Sequence, residues 1–331
     1  MKTQYLVAIL AAFLAAAALY NMEASTSSNN LLPAFHEFKK TYNREYTTEE
    51  SMYRYSIFAA NVEKINKHNA DKTQTYEMEV NQFADLTQEE FVEKYLMMDL
   101  SDHAYPFPPK MDTSNNIQAP EAVDWRQKDN VLNPIKNQGQ CGSCWAFSTT
   151  GTLESNLAIS KGQLNSFSEQ QLVDCCGDEG YQCLGCNGAW PEWAMNYINA
   201  KGIVMENEYA YTARKAACKP TPTAKKYLNS AKPWTMIPEG NLDSLRSAIA
   251  SSGPVSISID ASNWSFYKSG VFSNCGTKVL NHAVVVVGYN SDQTWIVRNS
   301  WGANWGDHGY ITLGSGNTCG ITEHAVVPGL A

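Results

Sequence analysis

The spacing of apolar positions changes character several times along the chain, and each change marks a different kind of element. Tyr5 to Tyr20 is an unbroken apolar run of 16 residues behind a single Lys, followed by small and polar residues. That is short for a membrane-spanning helix and reads as a secretory signal peptide, covering residues 1–22. Thr47 and Glu50 then have the spacing of a capping box, which opens a helix. Glu50, Arg54, Phe58, Asn61, Ile65 and Asn69 follow at intervals of three or four, so they share one slowly drifting helical face. Between Leu100 and Ala119 no period survives, and the Pro-rich stretch from His103 to Pro109 reads as an exposed linker of the kind proteases nick.

From Ser143 to Tyr211 the signals are helical. Ser143 stands where it can cap a helix whose inward face includes Ala146, Leu153 and Leu157. Ser168 and Gln171 make a second capping box, and Pro191 and Gly202 fit the first position and the end of a further helix. Leu242, Leu245 and Ile249 mark one more, stopped by Gly253 and Pro254. Beyond that the period falls to two: Val255, Ile257 and Ile259 alternate with Ser256, Ser258 and Asp260. Ala283–Val287 is a buried run, Asn290–Asp292 turns it back into Trp295–Arg298, and Tyr310–Leu313 follows. The pattern predicts an α+β protein with a helical half followed by a β-rich half.

A length of 331 residues allows two or three domains, and 44 % hydrophobic residues suffice for a sizeable core. The net charge of −8 is uneven: six of the eight negative charges fall in residues 1–118. The chain has no basic patch, which excludes a nucleic-acid partner as an expectation. Nine cysteines is an odd count, and secretion favours disulfides, so one thiol should stay apart.

That thiol is singled out by its surroundings. Gln138-Gly139-Gln140-Cys141-Gly142-Ser143-Cys144-Trp145-Ala146-Phe147 sets Cys144 between a Gly-rich turn and a helical run. A helix N-terminus carries partial positive charge and free N–H groups, which favour a thiolate over a thiol. The segment Cys141-Gly142-Ser143-Cys144-Trp145 has the form of the papain and cathepsin nucleophile signature. His282, in Leu280-Asn281-His282-Ala283, lies 138 residues further on, and Asn299, in Asn299-Ser300-Trp301-Gly302, lies 155 residues on. With three motifs in this order, the chain resembles the cathepsin L-like cysteine proteases of the papain family over nearly its whole length.

The resemblance implies a papain-like two-domain fold, with a helical left domain, a β-barrel-like right domain and a cleft between, preceded by a helical prodomain. Cys144 would be the nucleophile and His282 its acid–base partner, held as an ion pair before substrate arrives. Asn299 would orient the imidazole, and the Gln138 side chain would pair with the Cys144 N–H as an oxyanion hole. Trp301 would cover the His282–Asn299 contact. Gly188, Ala189, Trp190, Pro191, Ser258, Leu280, Ala283, Trp301 and His324 would bind substrate, most of them around the residue two before the scissile bond. Apolar residues are expected there, and a protonated His324 would make acidic ones more tolerable in acid. Residues 23–118 would be an inhibitory propeptide and 119–331 the catalytic domain. The helical face from Glu50 matches the family's prosegment helix. Asn81-Gln82-Phe83-Ala84-Asp85 matches its second prosegment motif, with Glu79 where that motif has Gly. The expected disulfides are Cys141–Cys186, Cys175–Cys218 and Cys275–Cys319, with Cys176 and Cys183, additional to the common pattern, forming a fourth.

Two rival readings are weaker. An inactive homologue predicts loss of the nucleophile or base, and both are present. A zinc site at Cys175, Cys176, Cys183 and Cys186 has irregular spacing and thiols that would oxidise after secretion. No motif requires a cofactor or a metal. The 96 residues from Cys186 to His282 leave no room for an insertion that blocks the cleft, which favours an endopeptidase over an exopeptidase. Polypeptide substrates and its own propeptide are the expected partners of a monomer without membrane insertion. It would reach a lysosome, a digestive vacuole or the outside of the cell. Asn263-Trp264-Ser265 is a glycosylation sequon. Latency is expected to fail in acid, through paired prosegment carboxylates such as Glu50 and Asp85.

Overall fold

The computed structural model describes residues 31–100, 119–276 and 279–331. Residues 1–22, expected to be a signal peptide, and the stretch expected to be a linker with its cleavage point lie outside the described residues. The chain forms two compact units, Met1–Asn61 and Val62–Ala331. The described part of the first contains α1 (Leu32–Thr41) and the start of α2 (Thr48–Ala70). The Phe58 ring packs at a tilt against Phe35 and Phe38, at centroid distances of 5.4 and 5.1 Å, which ties the two helices together. The Thr47 hydroxyl accepts the Glu50 N–H at 3.3 Å, as the capping pattern predicts. The Glu50 carboxylate turns along the helix to Arg54 at 3.7 Å, with its side chain 45 % exposed. Water screens such a pair, so it contributes little stability.

In the second unit the prosegment continues with the end of α2, strand β1 (Tyr76–Met78) and helix α3 (Gln88–Tyr95), opened by a reciprocal Thr87–Glu90 capping box. β1 pairs antiparallel with β5 (Tyr267–Phe272), and Tyr76 sits opposite Gly270. A glycine is required there: its φ is +90°, and a Cβ would come 2.6 Å from the Thr75 carbonyl. Glu79, standing where the prosegment motif has Gly, is not among the positive-φ residues and donates its N–H to the Phe266 carbonyl at 2.9 Å. No left-handed turn is needed, so the substitution is tolerated. The Asn81 amide donates to the Ser265 carbonyl at 2.8 Å, which docks the motif on the following domain.

The remaining elements are β2 (Val123–Asp124), α4 (Cys144–Lys161), α5 (Glu169–Cys175), α6 (Pro191–Lys201), β3 (Trp234–Met236), α7 (Leu242–Ser252), β4 (Val255–Ile259), β6 (His282–Tyr289), β7 (Trp295–Arg298), β8 (Tyr310–Leu313) and β9 (His324–Pro328). The strands run β1-β5-β8-β7-β6-β4-β9-β3, with β2 added to β6. This is an open, mixed path, and it makes the β-rich half that the resemblance implies. β1 and β3 stand at its two ends, each paired on one side only.

Helix α4 departs from the expected one-sided pattern. Every residue from Cys144 to Ala158 is buried, because α4 is packed between the sheet and helices α5 and α6. Its polar side chains bond inward: Ser155 Oγ to the Gly151 carbonyl at 2.7 Å, Asn156 Nδ2 to the Pro254 carbonyl at 2.8 Å. Glu154 accepts from Lys136 at 3.0 Å and from the Phe167 N–H at 2.7 Å. An all-buried helix shows no clean apolar stripe, so its sequence marks only its start.

Four disulfides are present, Cys141–Cys186, Cys175–Cys218, Cys176–Cys183 and Cys275–Cys319, and Cys144 alone is a free thiol. The sulfurs of the rival zinc reading are all used in these bonds. Cys176–Cys183 closes only a 7-residue separation, against 43 for Cys175–Cys218. Loop-closure entropy grows with the logarithm of loop length, so the short bridge stabilises less. Replacing both Cys176 and Cys183 by Ala should lower the unfolding free energy by on the order of 2 kcal/mol. Urea unfolding should rank this loss below that of Cys175→Ala/Cys218→Ala; the reverse order would reject the account.

Candidate active site

Two glycines shape the loop that delivers Cys144. Gly139 has a φ of +60°, and a Cβ on Gly142 would collide with the Cys186 carbonyl, so the loop lies flat on the Cys186 segment. Cys144 is the first residue of α4, as the pattern predicts. Ser143 precedes it but makes no side-chain cap; its hydroxyl bonds the Tyr211 hydroxyl at 2.5 Å instead. The tertiary partner wins because the local cap position is fully buried.

His282 opens β6 and is paired in register with Ile259. Its Nε2 meets Asn299 Oδ1 at 2.8 Å, just past the end of β7. The Trp301 ring lies 4.7 Å from the imidazole, and the Trp264 ring stands edge-on at 6.1 Å, so the contact is roofed by indoles. Cys144 comes to the same place: the Ala283 N–H donates to its Sγ at 3.4 Å.

The prosegment fills what remains. Gln138 is 0 % exposed, and its Nε2 donates to the Tyr95 carbonyl at 2.9 Å and to the Cys141 carbonyl at 3.0 Å. Its Oε1 accepts from Ser300 Oγ at 2.7 Å. Beyond Tyr95, the Met97 N–H donates to the Asn281 carbonyl at 2.7 Å and the Met98 N–H to the Asn187 carbonyl at 3.1 Å. Met97 packs in one cluster with Cys144, Ala189, Trp190 and Ala283, and Leu280 lies against it. A Cβ on Gly188 would come 2.9 Å from Met97 Cβ. Phe83 and Phe91 stand edge-on to Trp301, each at 5.4 Å. The extended backbone after α3 therefore threads the cleft with its carbonyl on Gln138.

Covering the site changes its protonation. Burial pushes the Cys144 thiol up to about 12. Burial also pulls His282 down to about 4, with the Asn299 hydrogen bond opposing only partly. Both directions disfavour the charged forms while the prosegment covers the site; the ion pair that the resemblance implies is an expectation for the uncovered enzyme. The helix N-terminus cannot offset the loss of water on this side.

The remaining expected substrate-binding residues divide into two places. Trp190, Pro191, Ser258 and His324 come together: the His324 ring stacks on Trp190 at 4.3 Å, and His324 pairs in register with Ser258. Trp301 lies apart from them, on the His282 side. His324 Nε2 also meets Glu192 Oε1 at 3.1 Å, and Glu192 is 1 % exposed. The sequence gives no hint of Glu192, since its partner is 132 residues away. Tyr211 and the Tyr95–Met98 stretch are likewise unmarked by any motif, and Ser300 lies inside one that gave it no role.

The papain family cysteine protease profile matches residues 119–329, and the cathepsin propeptide inhibitor profile matches residues 35–91. The chain belongs to the papain family of cysteine proteases. It is 42 % identical over 289 residues to Cathepsin L 2 of Paramecium tetraurelia, covering 86 % of this chain and 88 % of that one. It is 38 % identical over 311 residues to Procathepsin L of Rattus norvegicus, covering 89 % and 91 %. The structure of digestive procathepsin L 3 from Tenebrio molitor larval midgut superposes with a TM-score of 0.81 at 36 % identity, covering 92 % of this chain and 100 % of that one. The protein is a cathepsin L-like cysteine protease carrying its propeptide inhibitor domain in the same chain. Among the described residues no helix is long and apolar enough to cross a membrane.

Proposed function

We propose that Cys144 attacks the scissile carbonyl, that His282 takes and returns the proton, and that Asn299 orients His282 through its side-chain carbonyl. Gln138 Nε2 and the Cys144 N–H form the oxyanion hole. Residues 1–22 are a signal peptide, 23–118 the propeptide, and 119–331 a monomeric endopeptidase acting on polypeptides after propeptide removal in the secretory pathway, a lysosome, a digestive vacuole or outside the cell. The observation that carries this reading is the Tyr95 carbonyl, which accepts from Gln138 Nε2 at 2.9 Å while its chain runs over a buried Cys144. A substrate carbonyl presented to the same amide would lie over the same thiol. The chemistry then follows in order: imidazole accepts the thiol proton, the thiolate adds to the carbonyl, and the amide donors hold the oxyanion. Imidazolium protonates the leaving amine, and water hydrolyses the thioester. Acid treatment of the precursor should release a fragment beginning near residue 119 that cleaves a dipeptidyl substrate with an apolar residue two before the scissile bond. Absence of thiol-dependent hydrolysis in that material would reject the reading.

Trp190, Pro191, Ser258, Leu280 and Ala283 wall that residue's pocket, with His324 at its far end; Met97 fills it in the precursor, Gly188 and Ala189 bind substrate beside it, and Trp301 lies on the leaving-group side. Glu192 alters what His324 can do there. Its buried carboxylate stands against the imidazole, so the floor of the pocket carries an acidic group that the sequence reading did not count. Glu192→Gln keeps the shape and removes that carboxylate, so tolerance of Glu at that position should rise relative to wild type when profiled at one fixed pH. Unchanged selectivity in Glu192→Gln would remove Glu192 from the pocket.

A further inference from the structure

Tyr211 is partly buried, and its ring stands edge-on to Phe147 of α4 at 4.8 Å. Its hydroxyl donates to the Gln138 carbonyl at 2.7 Å and lies 2.5 Å from the Ser143 hydroxyl. With the phenol proton committed to that carbonyl, Ser143 is the donor in the second bond. The result is a two-link bridge from Ser143 through Tyr211 to Gln138, joining the residue before Cys144 to the residue whose amide faces the cleft. The bridge is itself anchored. The Tyr211 N–H donates to Glu206 Oε1 at 2.9 Å, and Gly139 approaches Ala213 so closely that a Cβ would sit 3.1 Å from that side chain. Burial holds the phenol well above its ordinary pKa, so it remains a donor throughout the working range.

An oxyanion hole works only when its donors are held at a fixed separation before charge develops. Here the two donors, Gln138 Nε2 and the Cys144 N–H, sit at opposite ends of a glycine-bearing loop that no helix or strand spans. Ser300 sets the rotation of the Gln138 amide at 2.7 Å, and the middle of the loop is held by the Cys141–Cys186 disulfide and by the Gln138 amide on the Cys141 carbonyl at 3.0 Å. The phenol adds a brace that reaches both ends of the loop at once, the Gln138 main chain and Ser143. We propose that Tyr211 is a positioning residue of the oxyanion hole, holding Gln138 at its working distance from the α4 N-terminus; this rests on the role assigned to Gln138 above.

The test uses the full-length precursor, activated in acid and normalised to active thiol by alkylation. Tyr211→Phe keeps the ring and removes both links, so kcat should fall about tenfold while KM moves less than about twofold. In a Gln138→Ala background the same change should cost less than about threefold, because the side chain it positions is gone. Equal losses in the two backgrounds, an effect on KM alone, or a kcat within about twofold of wild type would each overturn the proposal. If Tyr211→Phe gives no soluble enzyme, Ser143→Ala breaks one link with the phenol in place and should lower kcat in the same way; an unchanged kcat there overturns it. Gln138→Ala separates the two levels of the argument. An unchanged kcat in that variant removes the oxyanion assignment and the proposal together, whereas additive losses remove the proposal alone.

Discussion

Cys144→Ala is expected to lower kcat by at least about 10⁴-fold while leaving the folded precursor intact. The nucleophile has no substitute: the other eight cysteines are in disulfides, and Cys144 alone is free. Structurally the sulfur is cheap to remove. It accepts one long bond, from the Ala283 N–H at 3.4 Å, and lies among apolar neighbours. Truncation to Ala leaves a small void and one N–H without its sulfur, a cost on the order of 1–2 kcal/mol. The measurement is kcat on an apolar dipeptidyl substrate, with urea unfolding and non-reducing peptide mapping as controls. A kcat within tenfold of wild type, in protein shown to carry no wild-type contamination, would overturn the mechanism. His282→Ala should cost nearly as much, and the double variant scarcely more, because nucleophile and base act as one unit.

The second large effect is the release of the cleft segment in acid, and His282 is expected to drive it. In the covered state burial holds its imidazole at about 4, while an uncovered imidazole titrates near 6.5. Above about pH 6.5 the ring is neutral in both states and the covered form keeps its full stability. As pH falls from about 6.5 towards 4, only the uncovered state takes the proton, so the covered form loses up to on the order of 3 kcal/mol. Two prosegment carboxylates, Asp71 and Glu79, do not supply this window. Hydrogen bonds from Gln74 and Thr73 hold Asp71 down to about 2, so its stabilisation is lost only below the ordinary carboxylate range. Burial raises Glu79, which makes acid favour its folded state. Hydrogen exchange at the Met97 and Met98 amides in a Cys144→Ala precursor, which cannot process itself, should therefore show loss of protection through this window. The same profile in Cys144→Ala/His282→Gln should be flattened. Identical profiles in the two proteins would remove His282 from the activation mechanism.

Much of this protein is legible in one dimension because its signals are local. Thr47, Ser168, Pro191, Gly202 and Gly253 mark helix ends through contacts within a turn or two, and the elements found begin or end beside them. The alternation from Val255 to Ile259 and the apolar run after His282 likewise become β4 and β6. Where local signals compete with tertiary ones, the latter prevail. Ser168 accepts the Gln171 N–H at 3.0 Å, but the Gln171 side chain leaves the capping box for Tyr197, Gly202 and Val204, which only the packed domain brings within reach.

The sequence by itself determined the order of elements, the place of Cys144 at a helix start, and the set of side chains able to perform acyl transfer. Only the tertiary structure decided their state. Tyr95 meets Gln138 across 43 positions, Tyr211 meets Gln138 across 73, and His324 meets Glu192 across 132. No periodicity or capping rule reaches that far, because such rules describe neighbours on one helix or strand. Burial disfavours the charged forms of Cys144 and His282 under the prosegment, and burial belongs to the assembled fold, not to either residue's neighbours in sequence.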